Sequence, residues 1–223
     1  MTVGGQMGNS RVISIGVLAF VLGTQLPAVT ARQLASRPAE EWIKTLEAPE
    51  RVAGLKVDEV IARLRLKPGD VVADLGAGSG LFAFPLARAV APGRVYAVEL
   101  DAGFLTHMRG KVQDQRVTNL EPILGMATDP ALPARNVDLA FFHDVLHHVA
   151  DRPAYLTSVA GYLKAGGRVA VIEFHPQQSP HREQPDLVVS KDQTAGWLAT
   201  AGFVPAEEFD LFADKWFVVY ERR

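Results

Sequence analysis

The sequence predicts an α/β fold, doubly wound, with a mostly parallel sheet and helices on both faces. Three observations carry this. From Val71 onward, short apolar runs alternate with stretches of helical spacing, the pattern of repeated βα units. The stretch Val71 to Leu86, VVADLGAGSGLFAFPL, places three glycines directly after an apolar run and before a helical pattern. The chain has 223 residues, enough for one substantial core. Gln177 to Asp186, rich in Pro, Gln and His, reads as a loop over a sheet edge and not as a domain linker, because too little chain follows it to build a second core.

The elements follow in order. Trp42, Ile43 and Leu46 have the spacing of a short covering helix. Val57, Val60, Ile61 and Leu64 share one face of a helix over Val57 to Leu66, which KPGD at 67–70 ends. Strand Val71 to Leu75 leads into helix Leu81 to Val90, closed by APG. Strand Val95 to Glu99, helix Ala102 to Val112 and strands Leu120 to Leu124 and Val137 to Phe142 come next. Helix Pro153 to Leu163 carries its proline in the first turn, where no N–H is needed. KAGG at 164–167 is read as closing that helix and opening strand Arg168 to Glu173. Helix Thr194 to Ala201, capped by Gly202, precedes two closing strands, near Phe209 and over Trp216 to Tyr220.

Composition narrows the function. A net charge of −2 offers no polyanion-binding surface, so no nucleic-acid partner is expected. The absence of cysteine excludes disulfides, thiolate metal sites and a cysteine nucleophile. The N-terminus has a leader pattern. Arg11 is the only charged side chain before Arg32, the apolar run Val12 to Gly23 is shorter than the ~20 residues of a bilayer span, and AVTA at 28–31 supplies small residues. Residues 1–31 are therefore expected to be a signal peptide removed after Ala31, giving an exported or periplasmic protein with no stable membrane span. An uncleaved anchor, an amphipathic helix, or a start at Met7 with a cytoplasmic product are the alternatives. Residues 32–66 are expected to form a helical cover, and 67–223 the main domain.

A strand that ends in a glycine turn lets a ligand approach the backbone closely, and the helix that follows presents free N–H groups. Dinucleotide sites use G-x-G-x-x-G/A. Here Gly76, Gly78 and Gly80 give G-x-G-x-G, and Leu81 stands where that fingerprint needs a small residue. This argues against NAD or FAD. Asp74, two residues before the first glycine, is an awkward neighbour for a pyrophosphate. It suits a ligand carrying ammonium and sulfonium cations.

At these residues the chain resembles the class I S-adenosylmethionine-dependent methyltransferases. VVADLGAGSG is similar to their first motif and VYAVELD to their second strand. LPARNVDLAFFHDVLHHV is similar to their fourth-strand region and YLKAGGRVAVIEF to their fifth. TAGFVPAEEF and KWFVVYER resemble their closing antiparallel pair. The resemblance runs from about Trp42 to the C-terminus. It implies a seven-stranded sheet with an antiparallel last strand, S-adenosylmethionine as cofactor, and methyl transfer to a small molecule. It also implies that Asp74, Gly76, Ala77, Gly78 and Gly80 hold the methionine part, and that Glu99, with Leu100 beside it, holds the ribose. Many relatives have an acidic residue directly after the third-strand glycine, for the adenine amino group. Here Met126, Ala127, Thr128 and then Asp129 follow Gly125. Either Asp129 takes that role from a longer loop, or Met126 packing and backbone groups hold adenine. A binding module that keeps the ligand without turnover is the alternative to an enzyme.

Methyl transfer from sulfonium needs alignment and exclusion of water; a base is needed only if the acceptor must lose a proton. In FFHDVLHHV, His143 and His147 are the candidate catalytic residues, as base or acceptor-orienting groups, with His143 also near the cofactor. A packing role with local hydrogen bonds is the plainer reading. Their i,i+4 spacing also raises a metal reading, but two histidines alone make an incomplete site, so no metal is expected. His175 and Arg51 are further polar residues placed near the mouth. The oligomeric state is not legible.

Overall fold

The computed structural model describes residues 37–223 together with Met1, Thr2 and Gly4. The expected signal peptide and residues 32–36 of the expected helical cover lie outside these residues, apart from those first positions. Among the described residues, no helix is long and apolar enough to cross a membrane.

Three short helices come first: α1 (Ala39–Leu46), α2 (Pro49–Gly54) and α3 (Val57–Leu64). The alternating part follows as β1 (Val71–Leu75), α4 (Ala83–Val90), β2 (Arg94–Glu99), α5 (Ala102–Asp114), β3 (Leu120–Leu124) and β4 (Val137–His143). After a 3₁₀ turn at Leu146–His148 come α6 (Arg152–Ala160), β5 (Leu163–Phe174), α7 (Lys191–Thr200), β6 (Phe203–Phe209) and β7 (Lys215–Arg222). The seven strands are ordered β3-β2-β1-β4-β5-β7-β6, with β7 antiparallel to both neighbours and the other pairings parallel. The predicted fold class is the observed one.

Alternation along each strand divides the core between the two faces. Val72, Leu139, Phe141, Ala170 and Ile172 pack on one side with Val60 and Leu64 of α3, Leu86 of α4, and Leu105 and Met108 of α5. Ala73, Leu75, Ala140, Phe142 and Val171 pack on the other with Leu156 and Val159 of α6 and Leu198 of α7.

Three of the boundaries that differ from the sequence reading have a clear physical cause. Helix α4 begins at Ala83, not Leu81, because the glycine turn is prolonged: Gly80 N–H still donates to Ala77 O at 2.9 Å. KAGG does not lie between a helix and a strand. Helix α6 stops at Ala160, and β5 already pairs at Leu163 with Val137 before resuming at Arg168 with Leu139. The intervening Lys164, Ala165 and Gly166 bulge into solvent, with Gly166 at φ +75°. Helix α7 starts at Lys191, not Thr194, on a capping box. Ser190 Oγ accepts from Gln193 N–H at 3.1 Å, and Gln193 Oε1 accepts from Ser190 N–H at 3.0 Å.

Candidate active site

The strand order reverses between β1 and β4, and ligands in open α/β sheets sit outside the strand ends at such a point. A crevice of about 760 Å³ opens there, within the size range of small-molecule sites. A second hollow of about 700 Å³, between Pro176 and Gln193, is open to solvent and lined by half-buried or exposed residues.

The glycine loop forms one wall. Gly76, Gly78 and Gly80 have φ of +72°, +56° and +86°, a region that costs other residues about 1–2 kcal/mol. Gly76 and Ala77 N–H groups both donate to Val98 O, at 2.9 and 3.0 Å, which folds the loop back onto β2. A Cβ on Gly76 would lie 2.2 Å from Val145 Cγ2, so the loop and the corner after β4 are in close contact. At Gly78 the nearest atom to such a Cβ is Leu46 Cδ1 at 3.3 Å, the tip of a lid residue on α1. Gly80 is buried behind the loop against Phe84 and Met108 and is not part of the crevice wall.

Two carboxylates stand at the strand ends. Glu99, buried at the end of β2, accepts from Gly78 N–H at 2.9 Å through Oε2. Its Oε1 accepts from Leu100 N–H at 2.6 Å and Asp101 N–H at 3.4 Å. Burial pushes Glu99 above the usual carboxylate range, against these three donors. Asp74, 3% exposed on β1, also lines the crevice, and its Oδ2 is buried without a hydrogen-bond partner. Burial, then repulsion from Glu99, raises its pKa to about 7. A buried, unpaired carboxylate is costly unless a cation meets it.

Further out, Leu100, Met126 and Ala127 line the rim, with Leu100 and Met126 unusually exposed for large apolar residues. Asp129 is elsewhere. Its carboxylate accepts from Ser158 Oγ at 2.6 Å, Tyr162 Oη at 2.8 Å and Ala131 N–H at 2.6 Å, and it does not line the crevice. Of the two adenine options read from the sequence, only Met126 lies at the crevice.

The other wall is aromatic. His143 at the end of β4 packs 4.7 Å from the Phe82 ring, with Phe141 and Phe212 close by. Its Nε2 is buried without a partner, and Nδ1 lies 3.5 Å from Asp144 Oδ2. Burial lowers its pKa to about 4; Asp144 opposes this, and Lys215 and Arg51 reinforce it. The ring is neutral at pH 7. Asp144 turns the chain at φ +51° and accepts from Lys215 Nζ at 2.5 Å. Burial raises the Asp144 pKa, but His143 and Lys215 lower it more, so it is held below the usual range.

The turn at Asp144 separates the two candidate histidines. His147 faces Glu173, whose Oε2 lies 2.8 Å from Nδ1 and accepts from the His147 N–H at 3.3 Å. His148 and His181 pack beside it with tilted or edge-on rings. Burial, then His147 and His181, lowers His148 to about 3, and burial with His147 lowers His181.

Helix α1 covers the loop. Glu47, just after it, accepts from Lys111 Nζ at 3.1 Å and lies 3.0 Å from His107 Nε2, both on α5. Arg51 lines the crevice and donates to Leu46 O at 3.1 Å. Of the two further residues singled out from the sequence, Arg51 lines the crevice and His175 does not; Glu173, Lys215, Tyr155 and His181 were missed. Glu173 and Lys215 lie within motifs read for their strands, but nothing local points either to the site; each of the four reaches the crevice, or a residue in it, from a separate element.

Residues 73–171 match the family described as Methyltransferase domain. The chain is 34% identical over 121 residues to a 2-phytyl-1,4-naphtoquinone methyltransferase of Synechococcus elongatus, covering 51% of this chain and 50% of that protein. It is 35% identical to a ubiquinone/menaquinone biosynthesis C-methyltransferase UbiE of Stenotrophomonas maltophilia, covering 51% and 46%. The chain thus spans about half the length of these curated relatives. A SAM-dependent methyltransferase structure from Aquifex aeolicus has the same fold, at TM-score 0.74 and 22% identity, over 82% of this chain and 98% of that one. The sheet, the glycine loop with its two carboxylates, and the matched domain are all similar to those of the class I S-adenosylmethionine-dependent methyltransferases. The match is to residues 73–171 of the chain, and S-adenosylmethionine is the cofactor that these likenesses support.

Proposed function

We propose that the protein transfers a methyl group from S-adenosylmethionine to a planar, largely apolar small molecule of the hydroquinone or phenol type. The carrying observation is Asp74: a buried carboxylate with an unpartnered oxygen in the crevice wall fits a ligand that brings its own cation. The acceptor class is supported by Leu55, Phe82, Phe142, Val145 and Phe174 lining the crevice, and by the quinone-ring methyltransferases among the relatives.

S-adenosylmethionine supplies an activated methyl group on sulfonium. Asp74 would hold the ammonium, the open backbone at Gly76 to Gly78 the methionine part, Glu99 the ribose hydroxyls, and Met126 the adenine face. The protein's contribution is alignment and exclusion of water, with α1 and Arg51 closing the glycine side. Glu99→Ala is expected to weaken S-adenosylhomocysteine at least about tenfold, the cost of a charge-assisted contact. Calorimetric titration reads this, and a change below about twofold would count against the role.

Neutral His143 is a poor proton acceptor at pH 7 and a good wall with one free ring nitrogen. Its role is therefore to position the acceptor. His143→Ala should lower methyl transfer by less than the roughly 10²-fold of a lost general base. The parent rate should also show no step near pH 6.5 that disappears in the variant. The function itself is tested by titrating the protein with S-adenosylmethionine and NAD, then following labelled methyl transfer to a panel of hydroquinones and phenols. Binding of NAD alone, or no transfer to any ring acceptor, would overturn it.

A further inference from the structure

Three imidazoles converge where the corner after β4 meets the turns that follow β5. His147 and His148 are adjacent in the 3₁₀ turn, and His181 arrives from the loop over the sheet edge. The ring centroids are 4.0 Å apart for His147 and His148, 5.2 Å for His147 and His181, and 5.8 Å for His148 and His181. One potential ligand nitrogen from each lies within 4.8 Å of the other two. All three residues line the crevice beside His143.

The geometry points to a divalent transition-metal site of the Zn²⁺ type, formed by His147, His148 and His181 with Glu173 as the carboxylate behind it. Imidazole nitrogen suits Zn²⁺, Cu²⁺ or Ni²⁺, whereas Mg²⁺ and Ca²⁺ take oxygen. Three protein ligands are the number found at zinc sites that keep one position open. The carboxylate is the second sign. Ligating histidines commonly give their other ring nitrogen to a carboxylate, which fixes tautomer and orientation. Glu173, 2% exposed, does this at His147 Nδ1 and leaves Nε2 as the ligand atom. Two nitrogens on tetrahedral zinc, each at ~2.0–2.1 Å, are about 3.3 Å apart. The trio need therefore close by no more than about 1.5 Å, and half-buried His181, next to exposed Pro180 on a turn, can supply that movement. The surrounding charges are mixed. Arg152 is a cation beside the cluster, and its guanidinium is occupied by the carbonyls of Leu146, His147 and Asp186. Glu173 and Asp144 supply the negative charge.

The site goes beyond the methyl-transfer reading and does not rest on it. The test uses the full chain without a polyhistidine tag, stripped by a chelator and titrated with Zn²⁺ by calorimetry and with Co²⁺ by visible absorption. The expected result is one Zn²⁺ per chain, a tetrahedral Co²⁺ spectrum, and a thermal midpoint raised by Zn²⁺. Glu173→Gln should weaken Zn²⁺ by about 10–100-fold, and His148→Ala or His181→Ala by more. His107→Ala, on α5, should leave the affinity unchanged. Because His181 sits on a surface turn, its variant stays interpretable even if substitutions at Glu173 or His147 unfold the protein. No stoichiometric Zn²⁺ in the parent, or parental affinity in both His148→Ala and His181→Ala, would overturn the site. Titration of the same samples with S-adenosylhomocysteine reads the cofactor site separately, so failure of either reading is distinguishable.

Discussion

Asp74→Asn is expected to weaken S-adenosylhomocysteine by at least a hundredfold while raising the melting temperature of the cofactor-free protein. The variant keeps the shape of the side chain and removes its charge. Losing one member of a buried ion pair costs about 3–5 kcal/mol, or roughly 10²–10³-fold or more in affinity. The stability gain follows from linkage. Asp74 has a folded pKa of about 7 against an ordinary 3.8, so the folded state holds its proton more tightly than the unfolded chain. That contribution is complete below about pH 4 and is lost as pH rises toward 7. At pH 8 the parent carries an unpaired buried charge and the variant does not. The full linkage amounts to about 4 kcal/mol, but the asparagine amide is also left short of partners. A net gain of about 1–2 kcal/mol, or ~2–8 °C, is expected for a domain of this size. Parent cofactor affinity should also rise with pH through about 7, being about tenfold weaker at pH 6 than at pH 8, while the variant stays flat. Calorimetry across pH and thermal unfolding check both halves. A variant that binds within threefold of the parent would remove Asp74 from the site.

The glycine loop gives the second large effect, with two substitutions expected to fail differently. Gly78→Val should abolish cofactor binding with the domain still folded, because its side chain meets only the tip of Leu46 and then fills the crevice. Gly76→Ala should instead unfold more easily. Its methyl group would sit 2.2 Å from Val145 Cγ2 at a φ of +72°. Overpacking costs about 1–3 kcal/mol and the left-handed backbone another 1–2 kcal/mol or so. Together these correspond to a drop of ~5–15 °C. Val145→Ala in the same chain should recover part of that loss, since the closest contact goes and the 2.9 Å contact to Val145 Cβ stays. Thermal unfolding of the four members of this cycle is the measurement. Additive losses would mean that the loop and the corner are not in contact in solution.

The local patterns were readable because they depend on neighbours in sequence. The G-x-G-x-G turn with Asp74 before it needs positive φ and a strand end, both of which VVADLGAGSG encodes by itself. The boundaries that slipped did so for tertiary or overlooked reasons. KAGG reads as a helix stop, yet pairing of Leu163 with Val137 pulled the chain into β5 before the glycines. The capping box at Ser190 was legible and starts α7 three residues before the Thr194 read from the sequence. Asp129 was one of two options for adenine, the other being Met126 packing, and it was reached by counting from Gly125. Its own hydrogen bonds to Ser158 and Tyr162 tie it to α6 and the turn after it.

The sequence by itself determined the fold class, the strand-to-helix turn that opens the crevice, and the presence of a carboxylate at the end of each of the first two strands. Period, turn chemistry and motif order are local properties, and they survive folding unchanged. Only the tertiary structure decided which side chains meet. His143 and His147, four residues apart, were split by the turn at Asp144 into an aromatic wall and a histidine cluster. Lys215 came to Asp144 from 71 residues away, and Glu173 to His147 from 26. His181 reached His147 and His148 from a loop that reads only as polar surface. Such meetings depend on strand order and on how a loop crosses the sheet edge, and neither is encoded within any short stretch of the chain.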